Sequence, residues 1–485
     1  MYRTHRFLTL FVLVALLVSA CQPIIHEDAQ PSAETAKLSA TEVAAIHAIV
    51  ETRMAQTQIP GFAVAVVQHG EMVYAEGFGV AEMGTDHPIT PQTIFQLAST
   101  SKPITAIAMM QLVEAGKIQL DAHVTDYLPY FKLADERYRD ITITQILTHR
   151  SGLPEGGGFL GVEEGIVVET DAGAAERYVR GLANLELLFA PGEDWSYSDM
   201  GYNVLGDVIA KASGQLFEEY VQEHIFTPLG MTQSTFLLSD VPTTALAQPH
   251  MRNAEGQMAK AAVMPYTRPF APSDTLFSSV ADMSRLARAS FQHGELDGTR
   301  ILSEEHWQQM WTIQTPTWFG DLLDYLARDY AYGWYWGQVA GHPVVHHAGT
   351  EAGYQNIFLL APDDELAVIT MGNALGPDED FFYAFEIGQD VLKVLLASDT
   401  VSTSATANLP VPRFEPSACK YPILADTNAE CGYLVVPEDR MNPDSPTTRV
   451  HVIKYPSTSE TPAPDPIIAV PGGPGASGSF YAWLF

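Results

Sequence analysis

A serine and a lysine lie one helical turn apart near the start of residues 95–116. Residues three apart share a helix face, so Lys102 Nζ can reach Ser99 Oγ if an extended segment turns into a helix at this point. Serine is a weak nucleophile near neutral pH and needs a neighbouring base. A helix N-terminus adds unpaired N–H groups and a positive dipole end. The spacing therefore predicts acyl transfer through Ser99, with Lys102 as the activating group.

The same spacing occurs a second time, at Ser417 and Lys420. Pro416 precedes that copy, Pro422 follows it, and no amphipathic helix comes after it, so we interpret it as accidental. The residues after Ser99 are instead strongly apolar up to Gly116. These are Ile104, Ile107, Ala108, Met110, Leu112 and Val113. A helix that apolar is expected to be central to a core.

A second candidate motif is Tyr197-Ser198-Asp199, which precedes another apolar helix. A tyrosine held near cations can act as a general base if the pKa of its phenol is lowered. Tyr138 and Tyr354 begin similar triplets and stay open as alternatives, although neither leads into a comparable helix. Tyr197 is the favoured tyrosine.

A third candidate motif runs from His347 through Ala348 and Gly349 to Thr350. The small residue and the glycine allow a substrate backbone to approach closely. A backbone N–H on this strand, together with the N–H of Ser99, would form an oxyanion hole. We interpret His346 and His149 as structural histidines, the latter in a loop near the site. No Cys/His cluster has metal-ligand spacing, so neither a metal nor a cofactor is expected.

With these motifs in this order, the chain resembles the serine β-lactamase and penicillin-binding-protein-like superfamily. The similarity is to the branch of class C β-lactamases, D-Ala-D-Ala peptidases and related esterases, over roughly residues 41–395. Further matching stretches are residues 147–154 (LTHRSGLP), 201–206 (GYNVLG) and 279–283 (SVADM).

The resemblance implies a role for each candidate residue. Ser99 resembles the acylated nucleophile, Lys102 the residue that shares its proton, and Tyr197 the relay to the leaving group. His347 resembles the first residue of the third motif, and the N–H groups of Ser99 and Thr350 would be the oxyanion hole.

Two departures from the family pattern bear on the substrate. Asp199 stands where Asn is frequent, and a carboxylate cannot donate a hydrogen bond to a substrate carbonyl unless it is protonated. His347 stands where β-lactamases usually have Lys, and histidine is mostly neutral at pH 7. Ester, amide or D-peptide substrates are therefore favoured over β-lactams. A β-lactamase proper and a catalytically silent peptide- or penicillin-binding envelope protein are the alternatives.

The sequence pattern predicts the strands and helices that position these motifs. Their order along the chain predicts an α+β fold. Hairpins are predicted at residues 61–79, turning at His69-Gly70, and at 356–372, turning at residues 362–364. Helices are predicted at residues 41–55, 101–115, 201–213 and 376–396. The resemblance implies an antiparallel sheet flanked by helices, with an all-helical insert near residues 120–290. The serine hydrolase domain is expected to span residues 41–396.

The N-terminal segment has the pattern of a targeting signal. Residues 1–20 combine a basic start with a short apolar run, which is typical of a signal peptide. Residues 18–21 (VSAC) resemble a bacterial lipobox, which would make Cys21 the lipidated N-terminus and residues 21–40 a tether. We expect an exported protein, lipid-anchored to the bacterial cell envelope. The net charge of −32 argues against nucleic acid as a partner.

The sequence changes character after residue 396. Residues 397–412 read as a Ser/Thr/Pro linker, and strands are predicted at 432–436, 449–455 and 466–470. The glycines of residues 471–475 follow the last strand and resemble the oxyanion loop of secreted tripeptidyl- or prolyl-aminopeptidase-like α/β-hydrolases. The resemblance implies a disulfide between Cys419 and Cys431. Because no G-x-S-x-G elbow follows, we expect residues 413–485 to be a truncated hydrolase segment without catalytic function, or else an extension of the first domain.

Overall fold

A computed structural model describes residues 37–156, 168–317, 327–376, 382–402, 413–417, 430–437 and 447–454. The chain divides into two units, one ending at Leu396 and one starting at Ala397. The signal peptide, Cys21, Cys419 and the third predicted tail strand lie outside the described residues. Within those ranges, no helix combines the length and apolar character needed to cross a bilayer.

The first unit and the residues that follow it contain twelve described α-helices. They are α1 Ala40–Thr57, α2 Ser101–Glu114, α3 Val124–Tyr127, α4 Ile143–Leu147, α5 Ala174–Gly181, α6 Asp199–Ser213, α7 Phe217–Val221, α8 Thr227–Leu229, α9 Ala271–Asp274, α10 Val280–Phe291, α11 Glu304–Trp311 and α12 Tyr383–Ser402.

The strands form one large sheet and several small ones. They are β1 Gly61–Gln68, β2 Glu71–Gly79, β3 Phe95–Gln96, β4 His250–Arg252, β5 Met258–Lys260, β6 Phe277–Ser278, β7 Glu295–Leu296, β8 Thr299–Arg300, β9 Thr315–Pro316, β10 Asp329–Tyr330, β11 Tyr335–Val339, β12 His342–Glu351, β13 Tyr354–Ala361, β14 Leu366–Gly372, β15 Arg413–Ser417, β16 Glu430–Pro437 and β17 Thr447–Lys454. The large sheet is antiparallel, in the order β2-β1-β14-β13-β12-β11-β10-β9.

Helices cover both faces of the large sheet, because alternate residues of each central strand point to opposite faces. On one face, Val64, Val66 and Val368 pack in a core with α1 and α12. On the other face, Ala65 and Ile369 pack in the larger core that contains α2, α6 and α10. The predicted α+β fold class, with an antiparallel sheet flanked by helices, is confirmed.

The predicted hairpins are also confirmed. His69 and Gly70 connect β1 to β2 with positive φ values of 49° and 78°, as a two-residue hairpin turn requires. Residues 362–364 form a short 3₁₀ turn between β13 and β14.

Three expectations about the content and bounds of elements need correction. The insert near residues 120–290 is not all-helical, since β4 and β5 pair within it and β6 pairs with β3. Residue 376 is not helical, and α12 is described from Tyr383. Helix α6 begins at Asp199, two residues before the predicted start, because the Ser198 hydroxyl caps it by accepting from Gly201 N–H.

In the second unit, the described strands form an antiparallel sheet in the order β15-β16-β17. The predicted strands at residues 432–436 and 449–455 correspond to β16 and β17. The sequence pattern missed β15, which contains Ser417 of the second S-x-x-K copy. Its Pro416 is tolerated because β15 is an edge strand of this sheet.

Candidate active site

Ser99 lies between β3 and α2, on a segment held from one side by the β6 region. Leu97 N–H donates to Leu276 C=O at 2.7 Å. Ala98 has φ of +44°, in the left-handed region that non-glycine residues seldom adopt. This turn leaves Ser99 partly exposed, although the residues on either side of it are buried.

The first turn of α2 is anchored by buried hydroxyl groups. Ser101 Oγ donates to Ala98 C=O at 2.7 Å and accepts from Leu276 N–H at 3.0 Å. Thr105 Oγ1 donates to Pro272 C=O at 2.7 Å. These bonds fix the direction in which Ser99 and Lys102 leave the helix.

Lys102 is completely buried, and its ammonium group is fully surrounded by partners. Lys102 Nζ donates to Ser99 Oγ at 2.9 Å and to Ser273 C=O at 3.0 Å. Asp199 Oδ1 lies 2.5 Å from the same nitrogen. The predicted serine–lysine contact is therefore present, and a carboxylate completes it.

The carboxylate of Asp199 pairs with Lys102, a contact that the sequence analysis did not predict. Burial raises the pKa of Asp199 to about 7, against the opposing effect of Lys102 and with a further increase from Asp274 and Glu155. The reason for this contact is geometric: Asp199 is the first residue of α6, and that helix end meets the buried end of Lys102. Asp199 is thus poised to exchange a proton near neutral pH.

Tyr197 lies beside the serine–lysine pair, where Ser99 acts on its phenol. Lys102 Nζ lies 4.7 Å from the centre of the Tyr197 ring. Burial and then Asp199 raise the pKa of Tyr197 well above its ordinary value. The phenol pKa is therefore raised and not lowered, chiefly because the phenol is buried, and Tyr197 is positioned as a neutral proton donor and relay.

The two alternative tyrosines have partners elsewhere. Tyr138 packs edge-on against Phe131 with ring centres 5.9 Å apart. Tyr354 donates from its hydroxyl to Ala247 C=O at 2.6 Å. The structure thus brings Tyr197, and neither of these phenols, to the serine–lysine pair.

His149 packs against the Tyr197 ring and accepts a hydrogen bond from the next residue. Ser198 N–H donates to His149 Nδ1 at 3.0 Å, and the imidazole ring centre lies 4.4 Å from that of Tyr197. Burial and then Lys102 hold the pKa of His149 well below its ordinary value, so the ring is neutral. The sequence analysis placed His149 near the site but missed this positioning contact, which only the folded loop reveals.

His347 is buried on β12 and presents no cation. Its Nδ1 lies 2.8 Å from Ala348 C=O, an acceptor, so Nδ1 carries the proton, while Tyr330 Oη lies 3.4 Å from Nε2. Burial and then Lys102 lower the pKa of His347 well below its ordinary value. A substrate carboxylate therefore finds no fixed positive charge at this residue.

Gly349 permits the contact between β12 and the nucleophile loop. A Cβ atom at this position would lie 2.1 Å from Leu97 C=O, so no larger residue fits without moving backbone. Thr100 Oγ1 donates to Asn356 Oδ1 at 2.7 Å, and Asn356 Nδ2 donates to Gly349 C=O at 3.3 Å. Thr100 and Asn356 are positioning residues that sequence motifs did not indicate.

The segments proposed for the oxyanion hole face each other across this contact. On β12, Thr350 pairs with Gln355 of β13. The pairing of β12 with its other neighbour, β11, ends at His346. In the described part of the chain, Ser99 N–H forms no hydrogen bond. A free donor beside the nucleophile is what stabilisation of an oxyanion needs.

The fold and the Ser99–Lys102–Tyr197 geometry together define a serine hydrolase of the β-lactamase and transpeptidase type. The chain belongs to the beta-lactamase family, whose model matches residues 46–393.

Three known proteins illustrate the range of similarity. Penicillin-binding protein 4 of Amycolatopsis lactamdurans is 30% identical over 329 residues, covering 67% of this chain and 83% of that protein. Esterase EstB of Burkholderia gladioli is 36% identical over 212 residues, covering 42% and 53%. The octameric penicillin-binding protein homologue from Pyrococcus abyssi superposes with a TM-score of 0.63 at 25% identity, covering 84% and 90%.

Proposed function

We propose that this serine hydrolase forms an acyl-enzyme on Ser99 from ester, amide or D-peptide substrates in the cell envelope. The observation that carries the proposal is the 2.9 Å hydrogen bond between Ser99 Oγ and a lysine ammonium that is completely buried. The relatives named as an esterase and a penicillin-binding protein support the same reaction type. A hydrolysis panel of p-nitrophenyl esters, nitrocefin and D-Ala-D-Ala peptides tests it.

In the proposed acylation step, Ser99 Oγ attacks the carbonyl carbon as its proton passes to Lys102. One exchangeable proton is shared across the 2.5 Å contact between Lys102 Nζ and Asp199 Oδ1. When it lies on Asp199, Lys102 has the lone pair that accepts the proton of Ser99.

Collapse of the tetrahedral intermediate completes acylation. The bond from the carbonyl carbon to the leaving oxygen or nitrogen breaks, the Tyr197 phenol protonates the leaving group, and Lys102 reprotonates Tyr197. The N–H groups of Ser99 and Thr350 would bind the oxyanion. In deacylation, water takes the place of the leaving group, and the proton transfers run in reverse.

The pKa of Asp199 predicts the pH dependence. Below about pH 7 the Lys102–Asp199 pair gains a further proton on Asp199, so it can no longer accept the proton of Ser99. We expect kcat/KM to rise with pH through about 7, the pKa of Asp199. In Asp199→Asn the rise of kcat/KM with pH should be displaced by at least about one pH unit. Its maximal kcat/KM should be lowered by roughly 10²-fold.

Asp207→Asn is the matched control for this pH profile. Asp207 lies in the same helix, but its carboxylate accepts from Tyr130 Oη at 2.6 Å. In Asp207→Asn, kcat/KM should rise with pH as it does in the wild-type enzyme. If kcat/KM of Asp199→Asn still rises near pH 7, another group controls the pH dependence of the reaction.

We expect esters and amides to be hydrolysed faster than β-lactams. Neutral His347 provides no fixed counter-charge for the carboxylate that most β-lactams carry. In steady-state assays, p-nitrophenyl butyrate should exceed nitrocefin in kcat/KM by about 10-fold or more, the effect of losing one charge-assisted contact. A nitrocefin rate above the ester rate would instead favour a β-lactamase proper.

We also propose that the enzyme is anchored through a lipid on Cys21 after cleavage behind Ala20. The apolar run followed by VSAC supports this assignment. In an expressing bacterium, globomycin should cause the uncleaved precursor to accumulate, and Cys21→Ser should do the same without the drug. A mature protein released into the medium from untreated cells would contradict the anchor.

A further inference from the structure

His250 is a buried histidine that takes no part in the proposed reaction. It begins β4 and is 0% exposed. Both nitrogens of its ring are engaged: Nδ1 lies 3.0 Å from Asn373 C=O, and Nε2 lies 3.1 Å from Met83 N–H. The ring therefore joins β4 to two other segments, the one that follows β14 and the one that follows β2.

The two partners fix the protonation state of this ring. A carbonyl oxygen only accepts and an amide N–H only donates, so Nδ1 carries the proton and Nε2 accepts with its lone pair. The imidazole of His250 is thus neutral. A second proton would lie on Nε2 and point at Met83 N–H, so the hydrogen bond would be lost and two donors would meet in a buried place.

Asn373 strengthens the same junction with its backbone and its side chain. Its carbonyl also accepts from His250 N–H at 3.0 Å, and Leu375 N–H donates to His250 C=O at 3.2 Å. Its side-chain amide donates to Ala81 C=O at 3.1 Å and to Val80 C=O at 3.3 Å. Three segments of the chain are therefore held together around one imidazole.

The segment before His250 runs beside the approach to the nucleophile. Ala245 C=O accepts from Ile94 N–H at 2.8 Å, and Ala247 N–H donates to Ile94 C=O at 2.9 Å. Strand β3 begins at the residue after Ile94 and leads to Ser99. A loss of order around His250 can therefore pass along the backbone to the turn that holds the nucleophile.

Two charged groups act on the imidazole from neighbouring elements. Glu82 precedes Met83, and Lys260 ends β5, the partner of β4. Lys260 Nζ lies 3.0 Å from Glu82 Oε1, so the two charges largely offset each other. Burial, the largest effect, lowers the pKa of His250 below its ordinary value. The environment thus favours the neutral ring that the two hydrogen bonds require.

We propose that His250 is an acid-sensitive lock, whose protonation releases Met83 and loosens the junction of β4 with the segments that follow β2 and β14. A histidine in an opened chain titrates at about pH 6.5, so the lock contributes its full stability above about pH 6.5 and loses it as the pH falls below that value. Acid would thereby loosen the approach to Ser99 without acting on any group of the proton relay. The inference goes beyond the proposed function and does not depend on it.

Hydrogen exchange of the full wild-type chain tests the proposal without a variant. Mass spectrometry follows the peptide that contains Met83 at several pH values, with each rate corrected for the intrinsic effect of pH on exchange. One proton taken up on opening raises the opening constant by up to about tenfold per pH unit. We expect the corrected exchange rate to rise at least about threefold from about pH 7 to about pH 5.

Helix α10, which contains no histidine, is the internal control and should show no such rise. A corrected exchange rate at Met83 that stays the same across this pH range would overturn the lock.

His250→Gln assigns the effect to the ring. A glutamine amide can donate to Asn373 C=O and accept from Met83 N–H, and it does not titrate. Corrected exchange of the Met83 peptide should then vary by less than about twofold over the same pH range. His250→Leu, which can form neither bond, should exchange rapidly at every pH. A His250→Gln enzyme with the wild-type response to acid would contradict the assignment.

His342→Gln is the matched control. His342 Nδ1 lies 2.9 Å from Asp364 Oδ2 in the turn between β13 and β14, so this histidine also joins two segments. The control should keep the wild-type response of the Met83 peptide to acid. If it loses that response as well, the effect does not belong to His250, and the proposal fails.

Residual activity tests the link between the lock and Ser99. After incubation at about pH 5, return to about pH 8 and assay with p-nitrophenyl butyrate, the wild-type enzyme should have lost activity faster than His250→Gln. Equal losses would overturn that link. An enzyme without any ester turnover would count against the proposed function alone, because hydrogen exchange needs no activity.

Discussion

Ser99→Ala is expected to abolish hydrolysis of every substrate while the protein remains folded. The alanine removes the atom that Lys102 Nζ contacts at 2.9 Å, and no acyl-enzyme can form without it. Loss of a nucleophile lowers kcat by as much as about 10⁶-fold. Turnover of p-nitrophenyl butyrate, with melting temperature as the check on folding, measures the effect.

The second S-x-x-K copy provides the control for this experiment. Ser417 lies on β15 in the second unit, and Ser417→Ala should hydrolyse the ester at the wild-type rate. Ser99→Ala activity within about tenfold of wild type would remove Ser99 from the mechanism.

Lys102→Met and Tyr197→Phe should each lower kcat by about 10²–10⁴-fold, the usual contribution of a general acid or base. The two losses should not multiply, because both residues move the same proton between Ser99 and the leaving group. A double-mutant cycle on kcat measures this coupling. Fully multiplicative losses would indicate independent roles.

Two further variants keep the cycle interpretable. Lys102→Met leaves Asp199 as an unpaired buried carboxylate, which destabilises the protein. Lys102→Met with Asp199→Asn removes both charges and should recover melting temperature without recovering activity. Tyr138→Phe, the alternative tyrosine, should leave kcat unchanged.

The serine–lysine contact was predictable from the sequence because both residues lie in one helix. A spacing of three residues fixes their proximity as soon as the helix forms, and the apolar residues after them predict that the helix is central. The two hairpins were predictable for a similar reason, since their turns and alternating residues are local. Such features need no knowledge of the tertiary structure.

Residues that meet across the fold were not predictable in this way. Thr100 and Asn356 are 256 positions apart in the chain, and their hydrogen bond depends on the way the nucleophile loop packs against the large sheet. Asp199 was recognised as part of a motif, but its ion pair with Lys102 depends on where α6 begins. The raised pKa of Tyr197 depends first on burial, which a triplet motif does not encode.

The mass of the acylated protein tests the central claim most directly. After reaction with a fluorophosphonate, or with a slowly hydrolysed ester and an acid quench, intact-mass analysis and peptide mapping locate the covalent adduct. We expect one adduct per chain on the peptide containing Ser99, and none in Ser99→Ala or after Lys102→Met at equal exposure. An adduct on another residue, or ester turnover without any adduct on Ser99, would contradict the acyl-enzyme mechanism.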